Sequence, residues 1–167
     1  MKSAALALAM LVIAVFTGVP FNQAAAADQA DQIVIFKSKR VLLLLREGRV
    51  LDRWRISLGE HPIGPKREEG DGRTPEGVYF IDARILNTRF HHSLHLSYPN
   101  AADIEYAELA HDSPGSNIAI HGLPDDYHPV RGQRPGDWTD GCIALDNRAI
   151  DVLWRIVDVG TPVTIFP

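Results

Sequence analysis

A single cysteine, Cys142, is the feature that most limits what this chain can become. Residues 1–27 have the make-up of an export leader. Lys2 supplies the positive start, Ala4 to Val19 form an uncharged apolar stretch, and Ala24-Ala25-Ala26-Ala27 offers small residues for cleavage before Asp28. The stretch is short for a bilayer span, so cleavage is expected rather than retention as an anchor, with no stable membrane insertion afterwards. An exported chain enters an oxidising space, here the periplasm or cell envelope, where cysteines are usually paired. One cysteine cannot form an internal bridge, so the fold must stand on its hydrophobic core. The thiol is then free for chemistry, an intermolecular link, or a small buried hydrophobe.

Removing the leader leaves about 140 residues, enough for one domain (28–167) with a real core but not for two. A content of 46% hydrophobic and 23% charged residues is that of an ordinary globular domain. The formal net charge of −4 comes with no basic stripe, which argues against nucleic acid as a partner.

Short apolar runs between turn residues predict a mostly β domain with two short helices. Gln32–Phe36, Val41–Leu45 and Val50–Leu58, the last two joined by a Glu47-Gly48 turn, are expected to form an antiparallel meander. The unbroken apolar run of Val41–Leu45 suggests a strand buried on both faces. Residues 59–77 are rich in glycine, proline and charge and predict a long loop. Further strands are expected at Val78–Ile81, Leu94–Tyr98, Ile118–Ile120, Ile143–Leu145 and Thr161–Phe166. Helices are expected over Ala101–His111, with Ile104, Ala107 and Leu109-Ala110 available for burial, and from Asp146 or Asn147 to Val157. The second helix carries Ile150, Leu153, Trp154 and Val157 on one stripe.

His121 closes the apolar run Ile118-Ala119-Ile120, and Cys142 sits in Thr139-Asp140-Gly141-Cys142-Ile143-Ala144-Leu145. If the two runs are neighbouring strands, imidazole and thiol come side by side, as a thiolate nucleophile and its base require. The imidazole would then lower the thiol pKa. Gly141 permits close backbone approach, so the amides of Gly141 and Cys142 could receive an oxyanion. The plain alternatives are a strand-end histidine satisfied by a carbonyl and a structural cysteine. His91, His92 and His95 raise the question of a metal, but no ligand spacing of the H-E-x-x-H kind accompanies them. An extended strand would also turn His92 away from the other two, so no metal site is expected. Trp54 and Trp154 are expected in the core or at its rim, with Trp138 as a pocket wall. The loop 122–138, rich in proline and glycine, would cover the nucleophile.

His121-Gly122, a loop, then Thr139-x-Gly141-Cys142-Ile143-x-Leu145-x-Asn147 resembles the signature of the L,D-transpeptidase (YkuD-domain) family. Ile56-Ser57-Leu58-Gly59, Gly64-Pro65-Lys66, Gly70 to Gly77, Ser97-Tyr98-Pro99-Asn100 and Gly160-Thr161-Pro162-Val163 are similar to family sequences in the same order. The resemblance implies a mostly β catalytic domain, sandwich- or barrel-like, with short helices. It implies Cys142 as nucleophile, His121 as base, Gly122 as the residue whose backbone orients the imidazole, and Gly141 and Cys142 amides as oxyanion donors. Thr139, Asp140, Trp138 and the loop arginines Arg131 and Arg134 become candidates for substrate contact. Asp140 stands where the family usually has a second histidine, and Ala144 where arginine is common. Arg131 and Arg134 are therefore the candidates to replace a lost carboxylate contact. The implied substrate is the peptidoglycan stem peptide, with carbapenem β-lactams as inhibitors and no cofactor. An L,D-carboxypeptidase or amidase on the same scaffold, a non-catalytic wall-binding module and a zinc peptidase are the alternatives.

Overall fold

The computed structural model describes residues 29–124 and 136–167. The expected leader and both loop arginines, Arg131 and Arg134, lie outside the described residues, as does most of the expected cover over the nucleophile.

Strands β1 (Gln32–Phe36), β2 (Val41–Arg46) and β3 (Arg49–Arg55) form the antiparallel meander. Glu47 and Gly48 both have positive φ, 49° and 73°, as a two-residue hairpin turn of matching twist requires. The chain continues through β4 (Gly77–Thr88), β5 (His91–Leu96), helix α1 (Ala101–Ala110), β6 (Ala119–His121), β7 (Ile143–Ala144), helix α2 (Asn147–Ile156) and β8 (Pro162–Phe166). Spatial order is β3-β2-β1-β8-β4-β5-β6-β7, with parallel pairs only at β1/β8 and β6/β7. Ser57, just past β3, exchanges two backbone hydrogen bonds of 2.9 Å with Ala144 in β7. The two ends of the sheet order therefore meet, and the sheet curls into a closed, barrel-like body.

Its interior holds Ile33, Ile35, Leu42, Leu44, Leu58, Tyr79, Ile81, Leu94, Leu96, Ile120 and Ile143, all but sealed from solvent. Each such aliphatic side chain contributes about 1.5–3 kcal/mol by leaving water. Ile150, Leu153 and Val157 bring α2 onto this core, with Trp54 and Trp154 half-buried against it. The α2 start is set by Asp146, whose carboxylate accepts the Ala149 N–H at 2.9 Å.

Four expectations need correction. β2 is buried on one face only: Leu42 and Leu44 are sealed, while Val41, Leu43 and Leu45 are half-exposed, because the sheet has a solvent side here. β4 is twelve residues long rather than four, carried past Ile81 by its pairing with β5. β5 begins at His91, three residues before the expected start. In α1, Ile104 and Leu109 face solvent and only Ala107 is buried. The helix is held by a polar anchor instead: Asn100 and Asp103 form a reciprocal cap, and Asp103 also accepts the Tyr79 hydroxyl at 2.9 Å.

The long loop 59–77 is tied down by two charges. Lys37 is buried, and its ammonium donates to Gly64 O (2.6 Å), Thr74 O (2.7 Å) and Glu76 Oε1 (2.9 Å), so all three protons are bonded. Burial pushes its pKa down and the Glu76 carboxylate opposes that shift. Asp71 accepts from the backbone N–H groups of Arg67, Glu68 and Arg73 and from Lys66 Nζ at 2.9 Å. Burial alone would raise the Asp71 pKa, but these donors together hold it below the usual carboxylate value. The ordered loop carries Lys66 to the wall of the cleft described next.

Candidate active site

β6 and β7 run side by side, with Ile120 opposite Ile143 and His121 opposite Ala144. Cys142 directly precedes β7, and both His121 and Cys142 line one cleft of about 430 Å³. Lys66, Phe90, Asn117 and Trp138 complete its reactive end.

His121 is buried, and its Nδ1 lies 2.7 Å from the Gly122 carbonyl. A carbonyl only accepts, so Nδ1 carries the proton and Nε2 is left with a lone pair, the form in which imidazole is a base. Phe90 packs on the ring at 4.6 Å between centroids, and Trp138 meets it edge-on at 5.8 Å. Gly122 fits where no side chain could: an added Cβ would stand 2.6 Å from Asn147 Oδ1 and 3.0 Å from both His91 Cβ and Phe90 O. Asn147 Oδ1 also accepts the Leu123 N–H at 2.8 Å, fixing the chain as it leaves the histidine.

Cys142 is half-buried, and its thiol donates to Asn117 O at 3.6 Å. Burial raises the thiol pKa; the Ala119 backbone N–H opposes this, Asp140 adds to the rise, and Lys66 pulls the other way. Burial also lowers the His121 pKa, against the effect of its bond to Gly122. Burial thus works against the charged form of each group, the Cys142 thiolate and the His121 imidazolium. The expected lowering of the thiol pKa gives way to desolvation, which disfavours both charged partners at once.

The turn before Cys142 is strongly constrained. Thr139 is buried, and its hydroxyl donates to Cys142 O (2.8 Å) while accepting the Gly141 N–H (3.2 Å). Its hydroxyl thereby ties the two ends of the turn together. Gly141 has φ 131°, and a Cβ there would fall 2.6 Å from Arg73 O. The Gly141 N–H, expected to face an oxyanion, would first have to leave Thr139 Oγ1. Asp140 is exposed at the cleft rim, and Trp138 forms its wall.

Three residues at this site escaped assignment from sequence. Lys66 sits in Gly64-Pro65-Lys66, where nothing in the local sequence marks it for this cleft. Asn117, at φ 61°, acts through its carbonyl, and Phe90 through a ring in the β4–β5 turn; neither leaves a pattern in the chain. Among the histidines set aside, His95 Nδ1 pairs with Asp82 at 2.6 Å. His91 and His92 lie together beside Asp151.

Residues 30–165 match the YkuD family, the L,D-transpeptidase catalytic domain. "Putative L,D-transpeptidase YafK" of Escherichia coli K12 is 30% identical over 131 residues, 75% of this chain and 46% of that protein. The chain thus spans about half the length of the curated relatives it matches. Among solved structures, the helical cell shape determining protein Pgp2 of Campylobacter jejuni superposes with a TM-score of 0.64 at 25% identity, covering 83% of this chain and 48% of that one. Bd1075 of Bdellovibrio bacteriovorus gives 0.58 at 26% identity, over 84% and 49% respectively. With its barrel-like sheet, its histidine and cysteine in one cleft and a family match over nearly the whole described length, the chain belongs to the L,D-transpeptidase catalytic-domain (YkuD) family.

Proposed function

We propose that this protein is an exported cysteine acyltransferase acting on peptidoglycan stem peptides, with residues 1–27 as its cleaved leader and 28–167 as its catalytic domain. One observation carries the proposal: the Nδ1 bond to Gly122 O leaves His121 Nε2 as a base in the cleft that holds Cys142.

As Cys142 Sγ attacks the carbonyl carbon of the third-position diamino acid, its proton passes to His121 Nε2. The carbonyl oxygen becomes an oxyanion, received by the Cys142 N–H and, once freed from Thr139, the Gly141 N–H. Collapse expels the terminal D-residue, whose amine takes the proton back from His121, and a thioester remains on Cys142. An acceptor amine then attacks the thioester, His121 takes a proton from it, and the departing sulfur is reprotonated. With water as acceptor the same intermediate gives hydrolysis, an L,D-carboxypeptidase outcome. Lys66 favours the transient thiolate from the cleft wall.

The test is turnover of a purified tetrapeptide muropeptide by wild type and Cys142→Ala. Wild type should release the terminal D-residue and yield either cross-linked or tripeptide product. Turnover by a folded Cys142→Ala protein would refute the proposal, and so would wild-type binding without any product.

A further inference from the structure

The β4–β5 turn brings together a set of side chains that the acyl-transfer chemistry does not use. His91 has φ 66°, in the left-handed region. Successive residues of an extended strand point to opposite faces. Here the left-handed residue swings the two rings together, so that the imidazoles of His91 and His92 lie 4.3 Å apart and tilted by 30°. Asp151, sixty positions on in α2, faces both. Its Oδ1 is 2.7 Å from His91 Nε2 and 3.8 Å from His92 Nε2, and one ligand atom from each residue lies within 4.8 Å of the other two.

We propose that His91, His92 and Asp151 bind a divalent transition-metal ion of the zinc type, clamping β5 to α2. Tetrahedral zinc with bonds of about 2.0–2.1 Å sets its ligand atoms about 3.3 Å apart. The two measured separations straddle that value, each about half an ångström away, within the reach of small side-chain rotations. Two imidazoles and one carboxylate suit zinc, nickel or copper rather than the all-oxygen shells of calcium or magnesium.

His92 supplies a second, independent observation. Its Nδ1 is buried with no hydrogen-bond partner among the described residues, and its Nε2 is too far from Asp151 for a hydrogen bond. The ring packs on Trp154 at 5.0 Å between centroids, which fixes its direction. A His91–Asp151 pair alone leaves His92 Nε2 beyond hydrogen-bond reach of Asp151, whereas a shared metal would take Nε2 as a ligand. Three protein ligands leave one position open toward a cleft of about 510 Å³ lined by His92, Asp151, Arg148 and Arg155. The two guanidiniums repel a bare cation and favour an anionic fourth ligand. The set is separate from the cysteine cleft but joined to its wall, since the Gly122 N–H donates to both Phe90 O and His92 O.

The test uses tag-free protein carrying Cys142→Ala, so that the thiol cannot bind metal. Calorimetric titration with Zn²⁺ should show one equivalent bound per chain. Co²⁺ should give the intense visible bands of a four-coordinate ion. His92→Gln and Asp151→Asn should each weaken Zn²⁺ binding at least tenfold, while His95→Gln leaves it unchanged. The metal-free variants should melt within a few degrees of the parent, and Zn²⁺ should raise Tm only in the parent and in His95→Gln. His92→Ala, which removes no hydrogen bond, serves as a second variant if His92→Gln folds poorly. Absence of Zn²⁺ binding, binding untouched by the His92 and Asp151 substitutions, or equal loss in His95→Gln would overturn the proposal.

Discussion

Thr139→Val isolates what holds the turn before Cys142. The substitution keeps the β-branched shape and removes one hydroxyl that both donates to Cys142 O at 2.8 Å and accepts the Gly141 N–H at 3.2 Å. Thr139 and Gly141 are buried, so the Gly141 N–H loses its partner away from water, while Cys142 O loses its partner at a half-buried site. An orphaned buried polar group costs about 1–3 kcal/mol; with two affected and one partly solvated, the expected loss is about 2–4 kcal/mol. For a domain of this size that lowers Tm by about 10 °C. Turnover should fall further than stability, since a displacement of about 1 Å at the reacting atom can cost about a hundredfold in rate. Urea denaturation and muropeptide turnover on wild type, Thr139→Val and Thr139→Ser read both effects. Serine restores the hydroxyl and should recover most of each. A valine variant within about 0.5 kcal/mol of wild type and equally active would show that the hydroxyl does not hold the turn, because surface-like substitutions fall in that range.

Gly141→Ala should destabilise by more than about 2 kcal/mol, because the new Cβ meets Arg73 O at 2.6 Å on a backbone of φ 131°; an unchanged urea midpoint contradicts this. Iodoacetamide alkylation of Cys142 should rise with pH along a curve whose midpoint lies above the free-cysteine value of about 8.5. The unfolded chain gives up this proton at lower pH than the folded one, so the Cys142 contribution to stability is full below about 8.5 and is lost as pH rises through the folded pKa. Cys142→Ala should flatten that part of the stability profile, and an alkylation midpoint below 8.5 would reverse the sign. Incubation with meropenem should add one drug mass to wild type and none to Cys142→Ala by intact-mass spectrometry, with an adduct on both proteins or on neither counting against an acyl-enzyme at this cysteine.

How far the chain could be read followed the range of the forces involved. The meander was legible because the short apolar runs in 32–36 and 41–45 and the Glu47-Gly48 turn between strands act over a few residues. The α2 stripe was legible for the same reason: Ile150, Leu153 and Val157 recur at helical spacing and are buried. β4 was cut short because residues 82–88 owe their strand form to pairing with β5, not to their own pattern. α1 was misjudged because its apolar residues suggested a buried face, whereas Asp103 and Tyr79 anchor it through polar contacts made only in three dimensions. At the site, His121 and Cys142 could be picked out because each ends or precedes an apolar run. Phe90, Asn117 and Lys66 could not be, since ring stacking, a carbonyl and a loop held by Lys37 and Asp71 leave no local signature.

The electrostatics of Cys142 and His121 bear on how a thiol would work in an exported protein, as this one is proposed to be. Oxidants attack the thiolate, and susceptibility follows thiolate character and exposure. A cysteine held permanently as thiolate would be exposed to oxidation in the compartment that the leader implies. Here burial raises the Cys142 pKa and lowers that of His121, which favours the neutral form of each. The Gly122 carbonyl fixes the His121 proton on Nδ1 and leaves Nε2 with its lone pair in the cleft that also holds Cys142. Under the proposed acyl transfer, substrate entering the cleft would supply the electrophile, so sulfur would need to lose its proton only as the new bond forms. Lys66, ion-paired to Asp71 at 2.9 Å, lends partial positive potential at that moment without holding the thiolate in the resting state. On this account the acidic Asp140, in the place of the second histidine common in the family, helps keep sulfur protonated at rest. Replacing it with histidine would trade protection for resting reactivity.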